Sequence, residues 1–192
     1  MARTKNFKEE VVLKKAMDLF WKQGFHATSM QQLVDTLGIN RASMYDTFGS
    51  KEAFFLKAFE EYRKSNKSAI KDFLYQYKNP KEGIQALFTV AIDQAVADAE
   101  RKGCFVVNTT TEMLPGDVNL LPILKLNKQE FENIFYEYLT GGAANDFLTS
   151  GKDWKSISAF LYIYYNGLKV VSKVNPNKQE LKSQLKAAMQ VL

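Results

Sequence analysis

Arg41, Ser43, Tyr45 and Thr47 supply a guanidinium, two aliphatic hydroxyls and a phenol within one short stretch, and Lys51 adds an ammonium just beyond it. These are hydrogen-bond donors rather than bases. Such groups meet anions: a guanidinium offers paired N–H donors to a guanine edge or a phosphate, and a tyrosine hydroxyl donates to a phosphate oxygen. Asp46 interrupts the run. Facing phosphate it would be repelled, so it accepts from a cytosine amino group, orients Arg41, or turns to solvent.

The other reactive group is Cys104, the single cysteine. As a catalytic nucleophile it would need a neighbouring base, and the only histidine, His26, stands in a distant segment. No paired carboxylates and no phosphate-cradling glycine loop stand out, so an enzyme is not expected. One cysteine and one histidine are too few soft ligands for a structural zinc site, and no metal or cofactor is expected. Arg101 and Lys102, with a helix start, would lower the thiol pKa and favour a reactive thiolate. Alternatively, a cysteine beside Phe105 is simply a small buried hydrophobe.

The elements that must position these groups are helical. The 192 residues, 46% of them hydrophobic, can bury a substantial core, and the net charge of +5 leans modestly towards polyanionic partners. No apolar run approaches the roughly 20 residues of a membrane span. The segment from Met1 to Glu10 is too polar for a signal peptide, so a cytoplasmic protein without a membrane partner is expected. Between Gly24, Gly38, Gly49, Asn79-Pro80, Gly103, Pro115-Gly116 and Asn175-Pro176, apolar residues recur mostly at helical spacing. The pattern predicts an all-α protein of about nine helices.

Val12, Ala16, Leu19 and Phe20 form one face of a first helix ending near Gly24. Thr28, with Gln31 at N3, predicts a capping box that starts a second helix with Leu33, Val34 and Leu37 buried. Gly38-Ile39-Asn40 is then a tight turn, with Asn40 capping a short third helix. Met44 and Phe48 would face the core with Ile39, leaving Arg41, Ser43, Tyr45 and Thr47 nearer the outside. This is a helix-turn-helix pattern whose third helix can reach bases. Ser50 caps a fourth helix running to about Tyr77. Lys51 in its first turn is electrostatically unfavourable unless an anion such as a DNA phosphate sits there; the plainer alternative is a solvated lysine.

The segment from about Val12 to Phe59 resembles the DNA-binding domain of the TetR family of bacterial repressors. Its most specific portion is Gly38-Ile39-x-x-x-Ser43-Met44-Tyr45-x-x-Phe48-x-Ser50-Lys51-Glu52. The resemblance implies a DNA-binding domain over residues 1–49 and a helical ligand-binding and dimerisation domain over residues 50–192. It also implies a homodimer that lays two third helices into the major groove of a palindromic operator. Arg41 and Ser43 then become candidates for base or nearby phosphate contacts, and Tyr45 matches the family's phosphate-contacting tyrosine. Thr28 and Lys51 would hold the DNA backbone at the two flanks, and Asn40 and Thr47 complete the expected set. Asp46-Thr47 departs from the histidine or tyrosine that many relatives carry here. Arg3, Lys5 and Lys8 either add phosphate contacts from an arm or are merely charged terminal residues.

Beyond Asn79-Pro80-Lys81-Glu82, a well-formed helix start, the resemblance implies helices enclosing a small-molecule pocket. Ligand binding there would tilt the fourth helix and change the spacing of the two DNA-reading heads. The stretch from Arg101 to Gly116 has strand propensity, yet its Gly103-Cys104-Phe105-Val106-Val107-Asn108-Thr109 sequence resembles the start of the sixth helix in one branch of the family. Pocket candidates are Phe88, Ile92, Cys104, Asn108, Thr111, Phe131, Phe135 and Tyr162, with plain core as the alternative for most of them. A stripe of Ile157, Leu161, Tyr164, Leu168 and Val171, then one of Leu181, Leu185, Ala188, Met189 and Leu192, predict two dimer-interface helices, against an intrachain core. The expected function is a ligand-responsive repressor released from DNA by a small molecule. The alternatives are an activator on the same scaffold or a sensor of electrophiles or oxidants through Cys104.

Overall fold

The computed structural model describes residues 7–141 and 151–192, so Arg3 and Lys5 lie outside the described residues. All regular secondary structure among the described residues is helical. Three short helices, α1 (Glu9–Gln23), α2 (Met30–Leu37) and α3 (Arg41–Phe48), are followed by the long α4 (Lys51–Leu74). Then come α5 (Pro80–Ala97), α6 (Phe105–Met113), α7 (Leu120–Gly141), α8 (Trp154–Val174) and α9 (Lys178–Ala188), closed by a 3-10 turn at Met189–Val191. None of the described helices is long and apolar enough to cross a membrane.

Side-chain caps set most of the boundaries. Asn40 accepts from the Ser43 N–H, Ser50 from Ala53, Asn79 from Lys81 and Glu82, and Asn177 from Glu180. The capping box of α2 lies one residue later than expected. Ser29, not Thr28, accepts from the Gln32 N–H at 3.1 Å, while the Gln32 side chain accepts from the Ser29 N–H at 2.9 Å. Thr28 is unavailable because its hydroxyl is fully buried and donates to the Gly24 carbonyl at 2.6 Å. In α6 the strand-prone threonines are accommodated in a helix: Thr110 and Thr111 donate to the Val106 and Val107 carbonyls one turn back. The fourth helix stops at Leu74, three residues short of the expected Tyr77.

Two apolar cores share α4. Phe20, Phe54, Phe55, Phe59 and Phe105 lie in the first, which joins α1 to α4 with the start of α6. Ile84, Phe88, Ile92, Phe135 and Leu161 lie in the second, together with Ile70 and Leu74 from the far end of α4. The boundary expected at residues 49 and 50 falls between α3 and α4, whereas burial divides along α4 itself. Between the cores sits Arg63, only 3% exposed. Its guanidinium donates to Glu60 at 2.6 Å, to Glu130 at 3.2 Å and to the buried Asn127 at 3.2 Å, so a buried charge is paired on three sides and pins α4 to α7. A second pin joins α5 to α7. Tyr138 donates to the Tyr77 and Asn79 carbonyls directly over Gly83, where a Cβ would meet its hydroxyl at 1.9 Å.

Candidate nucleic-acid interface and sensing site

The turn before α3 is built on Gly38, whose φ of +66° is the left-handed conformation that ends α2 and that glycine adopts without strain. With Met44 and Phe48 buried, α3 presents Arg41, Ala42, Tyr45 and Asp46 to solvent. These positions, spaced one, three and one apart, form a single helical face. Ser43 and Thr47 lie half-buried on its flank, so the expected outward set of Arg41, Ser43, Tyr45 and Thr47 is corrected: alternate residues share a face in a strand, not in a helix. Asn40 spends its side-chain oxygen on the Ser43 N–H and serves first as a cap. Arg41 reaches over the Tyr45 ring, 5.9 Å from its centroid, which sets a cation and a phenol side by side on the exposed face.

Lys51 has a partner within the chain. Its ammonium lies 4.3 Å from the centroid of the Phe25 ring, and that ring, with the neighbouring Glu52, offsets a cation at a helix start without any bound anion. The Glu52 carboxyl is held below its usual range by hydrogen bonds from its own backbone N–H and from Ser50. Lys57, exposed and 5.4 Å from the Phe48 ring centroid, is a further cation beside α3 that sequence reasoning passed over. Six residues after Lys51, it stands off that lysine's face of the helix, so spacing along α4 gave no signal for it.

Also missed was the contact that ties this head to the rest. The Glu112 carboxylate, near the end of α6, accepts from the backbone N–H of His26 at 2.8 Å and of Phe25 at 3.1 Å. It thereby holds the loop between α1 and α2. At the other end of α6, Phe105 packs edge-on against Phe55, Phe59 and Tyr62, with ring centroids 5.3 to 5.7 Å away. Lys102 bonds Asp18 of α1 at 2.9 Å, which holds its ammonium pKa above the usual lysine value.

The cavity between head and helical body measures about 350 Å³ and has walls from α1, α4, α5, α8 and the loop before α6. None of the eight expected pocket residues lines it. Phe88, Ile92, Phe131 and Phe135 are buried in the second core, and half-buried Tyr162 packs against Phe131 at 6.0 Å. Thr111 points its hydroxyl back at its own helix, and Asn108 stands just behind the wall, accepting from Lys173 at 3.1 Å and donating to the Lys102 carbonyl at 2.9 Å. The expected aromatics filled the second core, while the lining mixes Trp21, Tyr62 and Tyr165 with polar and charged residues from five segments. Cys104 is 5% exposed, with the Tyr62 hydroxyl 4.0 Å from its sulfur and no capping bond of its own. It is a small buried side chain in the first core.

Most of the two expected interface stripes also turns inward. Leu161, Leu168, Leu181, Leu185, Met189 and Leu192 are buried within the chain, and Ile157, Tyr164 and Ala188 are half-buried. Of the expected residues only Val171 is exposed, and the other exposed apolar residues of α8 are Phe160, Ile163, Val170 and Val174, the last 79% exposed. They follow one another at helical spacing on the face opposite the core.

Residues 12–58 match the family described as bacterial regulatory proteins, tetR family. Over its full length the chain is 29% identical to the uncharacterized HTH-type transcriptional regulator YezE of Bacillus subtilis, whose length it also covers completely. It is 24% identical to the HTH-type transcriptional repressor ComR of Escherichia coli, across 93% of this chain and 86% of that one. Among solved structures, the TetR family transcriptional regulator CifR, as a cysteine mutant complexed with 26 bp double-strand operator DNA, superposes with a TM-score of 0.86 at 26% identity, covering 98% of each chain. The helix-turn-helix geometry, the family match at residues 12–58 and the full-length relatives agree: this chain belongs to the TetR family of bacterial transcriptional regulators.

Proposed function

We propose that the protein is a cytoplasmic repressor that binds a palindromic operator as a homodimer and leaves it when a small molecule occupies the cavity beside α6. The observation that carries the reading is the solvent face of α3, where Arg41 and Tyr45 stand together on a helix fixed at its start by Gly38 and Asn40. Residues 1–49 read DNA and residues 50–192 sense and dimerise, with Lys51 and Lys57 adding charge towards the phosphates. Arg41 contacts a base edge, with Ser43 beside it, while Tyr45 donates to the backbone. Thr28 and Asn40 act indirectly, through the packing of the loop and the cap. The exposed stripe from Phe160 to Val174 forms the interface with a second copy, which two-fold symmetry brings against the same stripe. The operator complex of CifR and the repressor name of ComR support this assignment.

The route from cavity to DNA runs along α6. A ligand that shifts the loop before α6 moves Phe105 within the first core and Glu112 against the loop that precedes α2. The test is fluorescence anisotropy with DNA flanking the protein's own gene and scrambled DNA of equal length, at two salt concentrations. Tight binding to the first alone is expected. Arg41→Ala should relax base preference, whereas Tyr45→Phe should weaken both DNAs alike. Equal and steeply salt-sensitive binding of the unaltered protein to both DNAs would remove the operator reading at these sites, and equal losses on both DNAs for the two variants would remove Arg41 from the specificity role.

A further inference from the structure

The cavity beside α6 carries an imbalance of charge. Arg101, Lys102, Lys169 and Lys173 line it against a single carboxylate, Asp98. Of these cations Lys102 is taken up by Asp18, and Lys173 donates to the neutral side-chain oxygen of Asn108. Lys169 and Arg101 have no carboxylate within ion-pair distance among the described residues. Asp98 itself accepts from the Gly103 N–H at 3.2 Å, so it is partly occupied in shaping the loop. Gly103 lets that loop lie flat on α8: at φ +66°, a Cβ there would stand 2.8 Å from the Lys173 side chain and 3.3 Å from the Lys169 carbonyl. This close approach brings Arg101 to the same cavity as Lys169.

Lys169 is half-buried, and its ammonium has the Tyr165 ring, 5.5 Å away, as its neighbour. Burial pushes its pKa down from the usual lysine value and outweighs the opposing pull of Asp98, which lies beyond ion-pair distance. Trp21, Tyr62 and Tyr165 add aromatic surface to the same cavity, and Asn66 and Gln94 add polar groups. A volume of about 350 Å³ is in the range of small-molecule sites. A neutral guest would leave the two cations uncompensated, and a cationic guest would be repelled.

We propose that this cavity binds a small organic anion, an apolar or aromatic body carrying a carboxylate or phosphate, with Lys169 and Arg101 meeting the charge and the aromatic walls meeting the body. The inference rests on the reading of this cavity as the effector site and names the class of effector. Asp98 and the Lys102–Asp18 pair keep the charge excess local to Lys169, Arg101 and Lys173, which places the anionic end near α8.

The test uses the full chain and two probes with the same ring system, the anion 1-anilinonaphthalene-8-sulfonate and the uncharged N-phenyl-1-naphthylamine. Lys169→Met should weaken the anionic probe about tenfold and leave the uncharged probe unchanged, and Lys169→Arg should recover most of the loss. Arg101→Gln, altering an exposed loop residue, gives the same discrimination should Lys169→Met fail to fold. Phenylacetate or phenyl phosphate should displace the anionic probe, and phenylethanol should not; which of the two acids displaces better identifies the headgroup. Loss of both probes to the same degree in Lys169→Met, or no loss of either, overturns the inference, as does displacement by the alcohol as readily as by the acids. The two readings fail separately. Lysine-dependent anion binding that leaves the DNA complex intact at saturation retains the anion site and removes the effector role. Release of DNA by the alcohol alone retains an effector site and removes the anion.

Discussion

Replacing Glu112 by alanine should loosen the DNA-reading head without touching any residue on its exposed face. The carboxylate bonds two backbone N–H groups of the loop that leads from α1 to α2, at 2.8 Å from His26 and 3.1 Å from Phe25. A hydrogen bond to a charged group contributes about 1.5–3 kcal/mol when it is shielded from water. The His26 amide is exposed, so water replaces that bond at little cost, while the Phe25 bond is partly buried beneath a ring only 8% exposed. Counting the second bond near its full value and the first at a few tenths gives about 2 kcal/mol, a sizeable share of the roughly 5–15 kcal/mol of a typical domain. If the whole of it is spent on ordering α2 and α3 for DNA, the same energy corresponds to about a thirtyfold change in affinity. Urea denaturation should show a lower midpoint at unchanged slope, and anisotropy should show weaker operator binding with the salt dependence intact. Glu112→Gln keeps one acceptor oxygen and should lose about half as much. Gly24→Ala attacks the same bond from the other side, since its Cβ would stand 2.6 Å from a Glu112 oxygen at a backbone φ of +88°. A Glu112→Ala protein with wild-type denaturation and wild-type operator affinity would refute the clamp. If Gly24→Ala were then still destabilised, backbone strain alone would account for it.

Two further predictions concern packing. Gly83→Ala, which in an open helix would gain about 1 kcal/mol of propensity, should instead cost about 1–3 kcal/mol in a thermal melt, because the new methyl displaces Tyr138 from its two carbonyl partners; a gain in stability would show that the tyrosine yields freely. Ile163→Asp, on a side chain 64% exposed in the single chain, should leave the helical content unchanged and convert the dimer to monomer in sedimentation at micromolar concentration. Unchanged assembly would remove that stripe from the interface.

The sequence disclosed most where a residue type has one good structural use. Asn40 and Ser50 are read as caps and act as caps, and Asn79, read as the head of a helix start, caps that helix, since a short polar side chain before an apolar run has few better roles. Thr28 and Ser29 both precede a glutamine by three residues, so only burial of the threonine decides between them. Helix α8 was legible as a helix but not in its orientation. It is apolar on two sides, with Leu161, Tyr165 and Leu168 on one and Phe160, Ile163 and Val170 on the other, and periodicity does not say which side meets the chain's own core. The cavity was hidden for a different reason. Its lining gathers Trp21, Tyr62, Gln94, Arg101 and Lys169 from five separate segments, and no spacing along one helix records such a meeting.

The sharing of α4 between two cores bears on how such proteins can exchange parts. Phe48 of α3 stacks on Phe54 of α4 with centroids 4.2 Å apart, and Phe55 and Phe59 complete the same cluster. A chimera spliced at Gly49 would therefore graft a head onto a foreign half of its own core, and the two halves of the new protein would have to be re-matched side chain by side chain. A splice after Tyr62, before Arg63 begins its bonds to α7, carries α4's part of the first core with the head, although the α6 side chains Phe105 and Val106 must still fit it. The same continuity couples the melting of the head to that of the body, so the recombinable unit is longer than the unit that reads DNA.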